Sequence, residues 1–480
     1  MGYAYRVPEY KILSASDVEV ITETSLRILE NIGLKVPNQK ILELASGRGA
    51  VVDQEREIVK FPEKLVMESV GSAGKKHILY GRDRDKRAEF GYHMFNFNGS
   101  SGQYQIVEEK SLKRRRPTRE DLKDAIRIGE ALENINVVGA MVVPSDVSPE
   151  VADVITFNEL LVSTTKPFTG WIFNGDSARA IIEMMEVAAG SREELKKYPF
   201  YEVFIEPISP LAFRKEGLDI LLRFVEAGLP VGISPMVQVG ATGPCSLSGA
   251  LAQENAEILA GVIITQLINP GHPVTYGGIP HIFDMREGLI SFGAPEQAIM
   301  AAAITQIGRS YGFPVYNNTG LSDSKLIDAQ FGIECAASLS LGALAQADIF
   351  GHLGTCGADN AASLIQLIID NETAGYFIRL LSGLEVSRES VGYGEIEREG
   401  IGGNFLGNDL TLMNFRREFW FPALFDRASW DAWEQRGKKD LVTRAMEKKE
   451  EILKKHEPPP LDDRVSRELR KISGSYTRTP

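Results

Sequence analysis

The stretch from Val231 to Gly278, VGISPMVQVGATGPCSLSGALAQENAEILAGVIITQLINPGHPVTYGG, limits most sharply what this chain can fold into. A short apolar run ends at Ser234-Pro235-Met236, and a Gly-rich loop from Gly240 to Gly243 follows. The spacing then predicts a long helix over Leu247–Ile268, stopped by Asn269-Pro270-Gly271. A second apolar run starts at Pro273. Strand, loop, helix and strand in that order make a βαβ unit, and such units build parallel sheets. Gln253, Glu254, Asn255, Glu257 and Gln266 interrupt the helix, so it reads as a buried barrel helix and not as a membrane span.

The same rhythm recurs on both sides. Eight apolar runs fit strands: His93–Asn98, Val137–Val143, Pro167–Phe173, Tyr201–Glu206, Val231–Met236, Pro273–Tyr276, Pro314–Asn317 and Asp348–His352. Seven helical patterns lie between them, at Thr118–Leu132, Glu150–Ser163, Ser177–Ala189, Arg214–Ala227, Leu247–Ile268, Pro295–Tyr311 and Asp328–Ala345, and an eighth begins near Ala361. This count predicts an α/β chain with a (β/α)8 TIM barrel over residues 91–358, carrying the active site. A doubly wound open sheet is the alternative. The barrel is preferred because no Gly-x-Gly-x-x-Gly follows the first strand.

Residues 1–90 read as a mostly helical N-terminal region, opening with a helix from about Ser14 to Gly33. Residues 359–480 read as a helical C-terminal extension, with elements at Ser363–Ser382, Leu410–Phe425 and Trp430–His456 and a Gly-rich connection from Gly392 to Gly407. The charged tail from Glu457 is expected to pack loosely or reach a neighbouring subunit, and the extension as a whole points to a homo-oligomer.

A net charge of -12 argues against a nucleic-acid groove, which needs a basic face, and is compatible with a cationic ligand. Cys245, Cys335 and Cys356 are too few and too scattered for a disulfide framework, so a reducing compartment is expected. The N-terminal MGYAYRVPEYK has no apolar signal core, which fits a cytoplasmic location. His-Glu-x-x-His, Cys-x-x-Cys and Gly-x-Ser-x-Gly are all absent, so neither a metal hydrolase nor a nucleophile elbow is expected.

In a (β/α)8 barrel the site lies at the C-terminal ends of the strands. Those ends offer Phe95, Phe97 and Asn98, then Trp171 and Phe173, Phe204 and Glu206, Met236 and Gln238, Tyr276 with His281 beyond it, Tyr316 and Asn317, and Phe350 and His352. The chain is 8% aromatic, yet six of the eight strand ends carry a ring. Rings of π-faces hold quaternary ammonium groups, which make no hydrogen bond of their own. The same rings could instead fill core layers. The loops Gly351–Gly357 and Thr319–Lys325 occupy the usual phosphate corner of the fold, but only Lys325 there is basic, so tight turns explain them better. The basic run Lys113–Arg116 reads as a solvated loop ahead of a partner contact.

Three segments carry a resemblance. PMVQVGATGPCSLSGALAQENAEILAGVIITQLINPGHPVTYGG, NNTGLSDSKLIDAQFGIE and IGGNFLGNDLTLMNFRREFWFPALFDRASWDAWEQRGKKDLVTRA together resemble the trimethylamine methyltransferase (MttB) superfamily, over essentially the whole chain. The resemblance implies a cytoplasmic barrel enzyme that moves a methyl group from a methylamine to the Co(I) of a corrinoid. That corrinoid (cobalamin) is supplied by a separate small protein docking at the barrel mouth, and none is bound permanently. Archaeal trimethylamine enzymes of the family carry pyrrolysine. Here the corresponding region, around Gln330–Cys335, holds only standard residues, as in members that resemble glycine betaine, proline betaine or carnitine demethylases. The implied methyl donor is therefore already quaternary. Glycine betaine, giving dimethylglycine, is the first choice, and proline betaine, carnitine or another betaine is the alternative. A non-catalytic quaternary-ammonium binding protein is the alternative of another class. Where the family pattern has a histidine after Gly-Gly-x-Phe/Tyr-Leu, this chain has Asn408-Asp409.

A quaternary nitrogen leaves as a neutral amine, so no acid is needed and the enzyme's share is orientation and removal of water. The expected substrate-binding set is Phe95, Phe97, Asn98, Trp171, Phe173, Phe204, Glu206, Gln238, Tyr276, His281, Asn317, Gln330 and His352. Within it, His352, His281, Gln238, Asn98 and Asn317 are the candidates for a betaine carboxylate. No residue is assigned to acid–base catalysis, and no metal ligand is expected.

Overall fold

The computed structural model describes residues 3–476. Eight parallel strands position everything else: β1 (Met94–Gly99), β2 (Val138–Gly139), β3 (Phe168–Thr169), β4 (Val203–Ile205), β5 (Val231–Ile233), β6 (Val274–Gly278), β7 (Val315–Asn317) and β8 (Ile349–Leu353). Parallel pairing runs β4–β5–β6–β7–β8–β1, and β2 pairs with β3. A parallel bridge from Asn98 to Val137 joins β1 to β2. Phe168 N–H donates to the Phe200 carbonyl at 3.2 Å, joining β3 to the segment that enters β4, so the pairing returns to its start. A helix follows each strand: α1 (Arg119–Ala131), α2 (Ala152–Ser163), α3 (Gly175–Ala189), α4 (Lys215–Ala227), α5 (Leu247–Ile268), α6 (Pro295–Ser310), α7 (Ala329–Leu344) and α8 (Leu364–Leu381). The chain is thus a mixed α/β fold with strands and helices in alternation.

The helix α5 is buried on every side from Ala250 to Gln266. N-terminal helices at Ala15–Arg27, Gln39–Gly47 and Glu63–Ser72 pack over it, which is why it is apolar all round. Its polar residues are tied inside. Glu257 accepts from Ser209 Oγ (2.6 Å), Leu211 N–H (2.9 Å) and Gln253 Nε2 (2.9 Å). Asn255 accepts from Tyr276 Oη at 2.9 Å and donates to Ser25 Oγ at 2.9 Å. Among the described residues no helix is long and apolar enough to cross a membrane.

A hairpin, His77–Tyr80 with Arg87–Phe90, lies under the N-terminal ends of the strands. Tyr80 N–H donates to the Pro199 carbonyl (2.7 Å), Asp83 N–H to the Thr165 carbonyl (3.0 Å) and Gly91 N–H to Asp348 Oδ1 (2.7 Å). Its Leu79, Ala88 and Phe90 join Val137, Ile279, Tyr316 and Ile349 in one interior cluster that closes this end. Beside it, Glu130 accepts from Lys86 Nζ (2.8 Å), Thr164 Oγ1 (2.6 Å) and Thr165 N–H (3.0 Å). Desolvation alone would raise this carboxyl, but the bonds from Lys86, Thr164 and Thr165 overcome it and hold the pKa at about 2.

The C-terminal extension differs from expectation in three places. Trp430–His456 is two helices, Trp430–Gln435 and Leu441–Lys455, because Gly437 takes a left-handed turn at φ 90° between them. The Gly-rich connection holds a short helix, Tyr393–Glu399. The tail is ordered: Asp463–Tyr476 is a helix that packs on α3, with Leu469 fully buried and Tyr476 Oη 3.0 Å from Ser177 Oγ. An apolar stripe, Val465, Leu469 and Ile472, at helical spacing explains that docking. The last four residues of the tail, 477–480, lie outside the described residues.

Candidate functional site

A cavity of about 750 Å³ opens at the C-terminal ends of the strands. Trp171 and Phe173 reach it from the segment after β3, Phe204 from β4, Glu206 from just beyond β4, and Met236 and Gln238 from the segment after β5. The Phe204 ring meets Tyr316 of β7 at a tilt, 4.6 Å away, and Phe204 and Met236 pack against the interior cluster that holds Tyr316 and ends at the hairpin below. Trp171 is held by its indole N–H, which donates to the Gly102 carbonyl at 2.9 Å, and its ring lies 6.1 Å from the His352 ring. Phe173 is fixed through its backbone N–H, which donates to Asp153 Oδ2 at 2.9 Å.

The electrostatics of this cavity are distinctive. Glu206 touches cavity solvent and accepts no hydrogen bond from the described residues, yet protein surrounds it at longer range. That desolvation, reinforced by Asp359 and opposed by Arg214, lifts its pKa to about 7. Asp359 is also raised, first by desolvation, while His352 and a hydrogen bond from Gln103 Nε2 pull it back. Two carboxyls of raised pKa therefore line one cavity together with aromatic rings, and a permanent cation there would stabilise both in the charged form.

Three expected residues stand beside the cavity. His352 takes φ 63° at an irregularity in the β8–β1 pairing; burial lowers its pKa and Asp359 opposes the shift. His281 is fully buried and sits opposite Gln238 in a short parallel pair, so both side chains leave the same face of that pair. Burial holds it near pKa 4, and its ring meets Phe292 edge-on at 4.3 Å. Neither ring nitrogen has a hydrogen-bond partner of acceptable geometry. Asn98, at the end of β1, is buried with its Oδ1 unpartnered.

Five expected residues are placed elsewhere. Phe95 and Phe97 face the helices, not the interior; their rings pack on each other at 5.9 Å and on Phe350 at 6.4 and 5.4 Å, and Tyr3 and Tyr5 cover Phe95. Tyr276 points outward into α5 through its bond to Asn255, and Asn317 points outward into α6, where its Nδ2 donates to Thr305 Oγ1 at 3.2 Å. In each strand the neighbouring position faces inward, as the two-residue period of a strand requires. Gln330 is exposed on α7 and donates to Glu334 Oε1 at 2.8 Å. Asn408 caps the helix Asp409–Glu418 and donates to Glu395 and Glu399, a local structural task.

Sequence reasoning missed Gln103, Tyr104, Arg214 and Asp359, which also line the cavity. All four lie in loops or at a helix start, beyond the strand-end residues that the barrel pattern points to. Gly357, Ala358 and Asp359 all take positive φ, which turns Asp359 back over the mouth, and of the three only Gly357 signals such a turn in the sequence. Among the described residues, no group of three or more His, Cys, Asp or Glu side chains could hold a metal ion.

In this α/β chain, a cavity lined by carboxyls and aromatic rings lies at the strand ends, a lining whose chemistry suits a small cation. The trimethylamine methyltransferase (MTTB) family model matches residues 3–474, and the chain belongs to that family. It is 31% identical to the glycine betaine methyltransferase of Desulfitobacterium hafniense (strain Y51), over 96% of both chains. It is 29% identical to the trimethylamine methyltransferase MttB of D. hafniense (strain DSM 10664 / DCB-2), over 97% of this chain and 94% of that one. The solved monomethylamine methyltransferase (MtmB) of Methanosarcina barkeri aligns over 93% of this chain and 96% of its own, at 12% identity and a TM-score of 0.47.

Proposed function

We propose that this chain is a (β/α)8 barrel enzyme that takes a methyl group from a quaternary amine, glycine betaine first, and passes it to the Co(I) corrinoid of a separate partner protein. The observation that carries the reading is the pairing of Glu206 and Asp359 with Trp171, Phe173 and Phe204 around one cavity at the strand ends. The 31% identity to a glycine betaine methyltransferase supports the donor, and proline betaine, carnitine or another betaine is the alternative.

The rings and carboxyls bind the cation and hold one N-methyl toward the opening. Trp171, Phe173 and Phe204 displace water from the methyl groups. The reduced corrinoid, when docked, supplies the nucleophile that accepts the methyl group. The C–N bond breaks with its electron pair remaining on nitrogen, so the amine leaves neutral and this chain need not deliver a proton. The rim suits a docking protein, because Tyr104 and Ile208 stand 66% and 40% exposed beside the opening. Exposed apolar side chains along 384–421, including Leu384, Ile401 and Leu406, favour a homo-oligomer.

The test is optical. Purified protein is mixed with reduced corrinoid and a panel of quaternary amines, and the visible spectrum of the corrinoid is followed. Methylation with one betaine is expected. Tight betaine binding with no spectral change under any corrinoid would overturn the transfer reaction and leave a binding protein.

A further inference from the structure

The cation half of a betaine accounts for the carboxyls and rings of the cavity; its carboxylate needs a separate partner. The cavity is lined by three acidic residues, Glu206, Glu216 and Asp359, and one basic residue, Arg214. Arg214 stands just before α4, and its side chain makes no hydrogen bond or ion pair with any described residue. It nevertheless lies close enough to Glu206 to oppose the rise of that carboxyl's pKa. An arginine beside a carboxylate ordinarily closes into an ion pair, because its planar fork matches two carboxylate oxygens. Here the two side chains remain apart, although both belong to the segment that joins β4 to α4, so the Arg214 fork stays uncommitted on the cavity lining.

We propose that Arg214 binds the carboxylate of the methyl donor and restricts the enzyme to zwitterionic quaternary amines. This rests on the quaternary-amine reading above and assigns the anionic end of that same site. The histidines beside the cavity are weaker candidates for the role, since burial disfavours a charge on either His281 or His352. A neutral imidazole offers one donor, whereas Arg214 offers a permanent charge and several. A donor held between Arg214 and the two carboxyls is aligned along its own dipole, which directs the trimethylammonium end toward Trp171 and Phe204.

Titration calorimetry on the full-length protein tests this with glycine betaine and tetramethylammonium, which share the cation and differ in the carboxylate. Arg214→Gln is expected to weaken glycine betaine by roughly 10- to 100-fold while leaving tetramethylammonium within about twofold. Arg214→Lys, which keeps the charge and loses the fork, is expected to fall between, and it serves as the second variant should Arg214→Gln prove unstable. Undiminished betaine affinity in Arg214→Gln overturns the proposal, and so does an equal loss for both ligands. If wild-type protein binds tetramethylammonium but not betaine, the quaternary-amine reading stands and the role of Arg214 falls. If it binds neither, both fall.

Discussion

Glu130 is buried at the floor of the strand assembly, Glu206 faces the cavity at its mouth, and their acidities move in opposite directions. Glu130 accepts hydrogen bonds from Lys86, Thr164 and Thr165 and titrates at about 2. Glu206 accepts none from the described residues and titrates at about 7. The floor carboxylate is a finished structural part, with its charge matched in place. The mouth carboxylate has no hydrogen-bond partner among the described residues, and Arg214 opposes the rise of its pKa only in part. That division follows the general pattern of such folds, in which the N-terminal face serves stability and the C-terminal face serves chemistry.

Substitutions in the framework should cost stability and spare binding, and substitutions at the mouth should do the reverse. Phe97→Ala removes a fully packed ring from the helix-facing layer and should cost about 3–5 kcal/mol in urea unfolding, with the betaine affinity of the remaining folded protein unchanged. A loss of affinity instead would return Phe97 to the site. Glu130→Ala comes next. A drop from the ordinary 4.5 to about 2 corresponds to roughly 3 kcal/mol of stability. Because the folded-state pKa is depressed, that contribution is present above about 4.5 and fades as pH falls toward about 2. The unfolding midpoint of the variant should therefore converge on that of wild type in acid; a constant gap at all pH would mean that the lost contribution is packing.

Trp171→Ala should cost up to about 2 kcal/mol in quaternary amine affinity by calorimetry, with little change in melting temperature. The smallest effect is the pH dependence of binding. Cation binding favours the ionised carboxylate, so wild-type affinity should weaken as pH falls through about 7, and Glu206→Gln should flatten that profile. Since the raised pKa marks an ionised form that folding disfavours, Glu206→Gln should melt no lower than wild type near neutral pH. A marked fall in its melting temperature would place Glu206 with the framework.

The alternation of strands and helices was legible in the sequence to within a few residues, because apolar runs and helical spacing report burial directly. Trp171, Phe173, Phe204, Glu206 and Gln238 were legible as strand-end residues of the cavity. The side of each strand that faces inward was not. Both faces of these strands are buried, so polarity does not mark the inner one: β1 alternates strictly, yet its Asn96 and Asn98 lie on the face opposite Phe95 and Phe97. Aromatic content therefore pointed to the wrong face of β1, and it did so again for Tyr276. Asp359 was hidden for another reason: its place depends on consecutive left-handed backbone angles, and Ala358 and Asp359 do not announce these as glycine would.

The hairpin that closes the floor also governs traffic. Leu79, Ala88 and Phe90 fill that end, so the cavity opens at the C-terminal ends of the strands. On the proposed function, the methyl donor and the docking protein would share that opening and would use it in turn. The amine would enter first, the acceptor would cover it, and the demethylated product would wait until the acceptor left. Turnover should accordingly follow a compulsory order, and a large excess of acceptor protein should slow the enzyme by sealing it before it has been loaded.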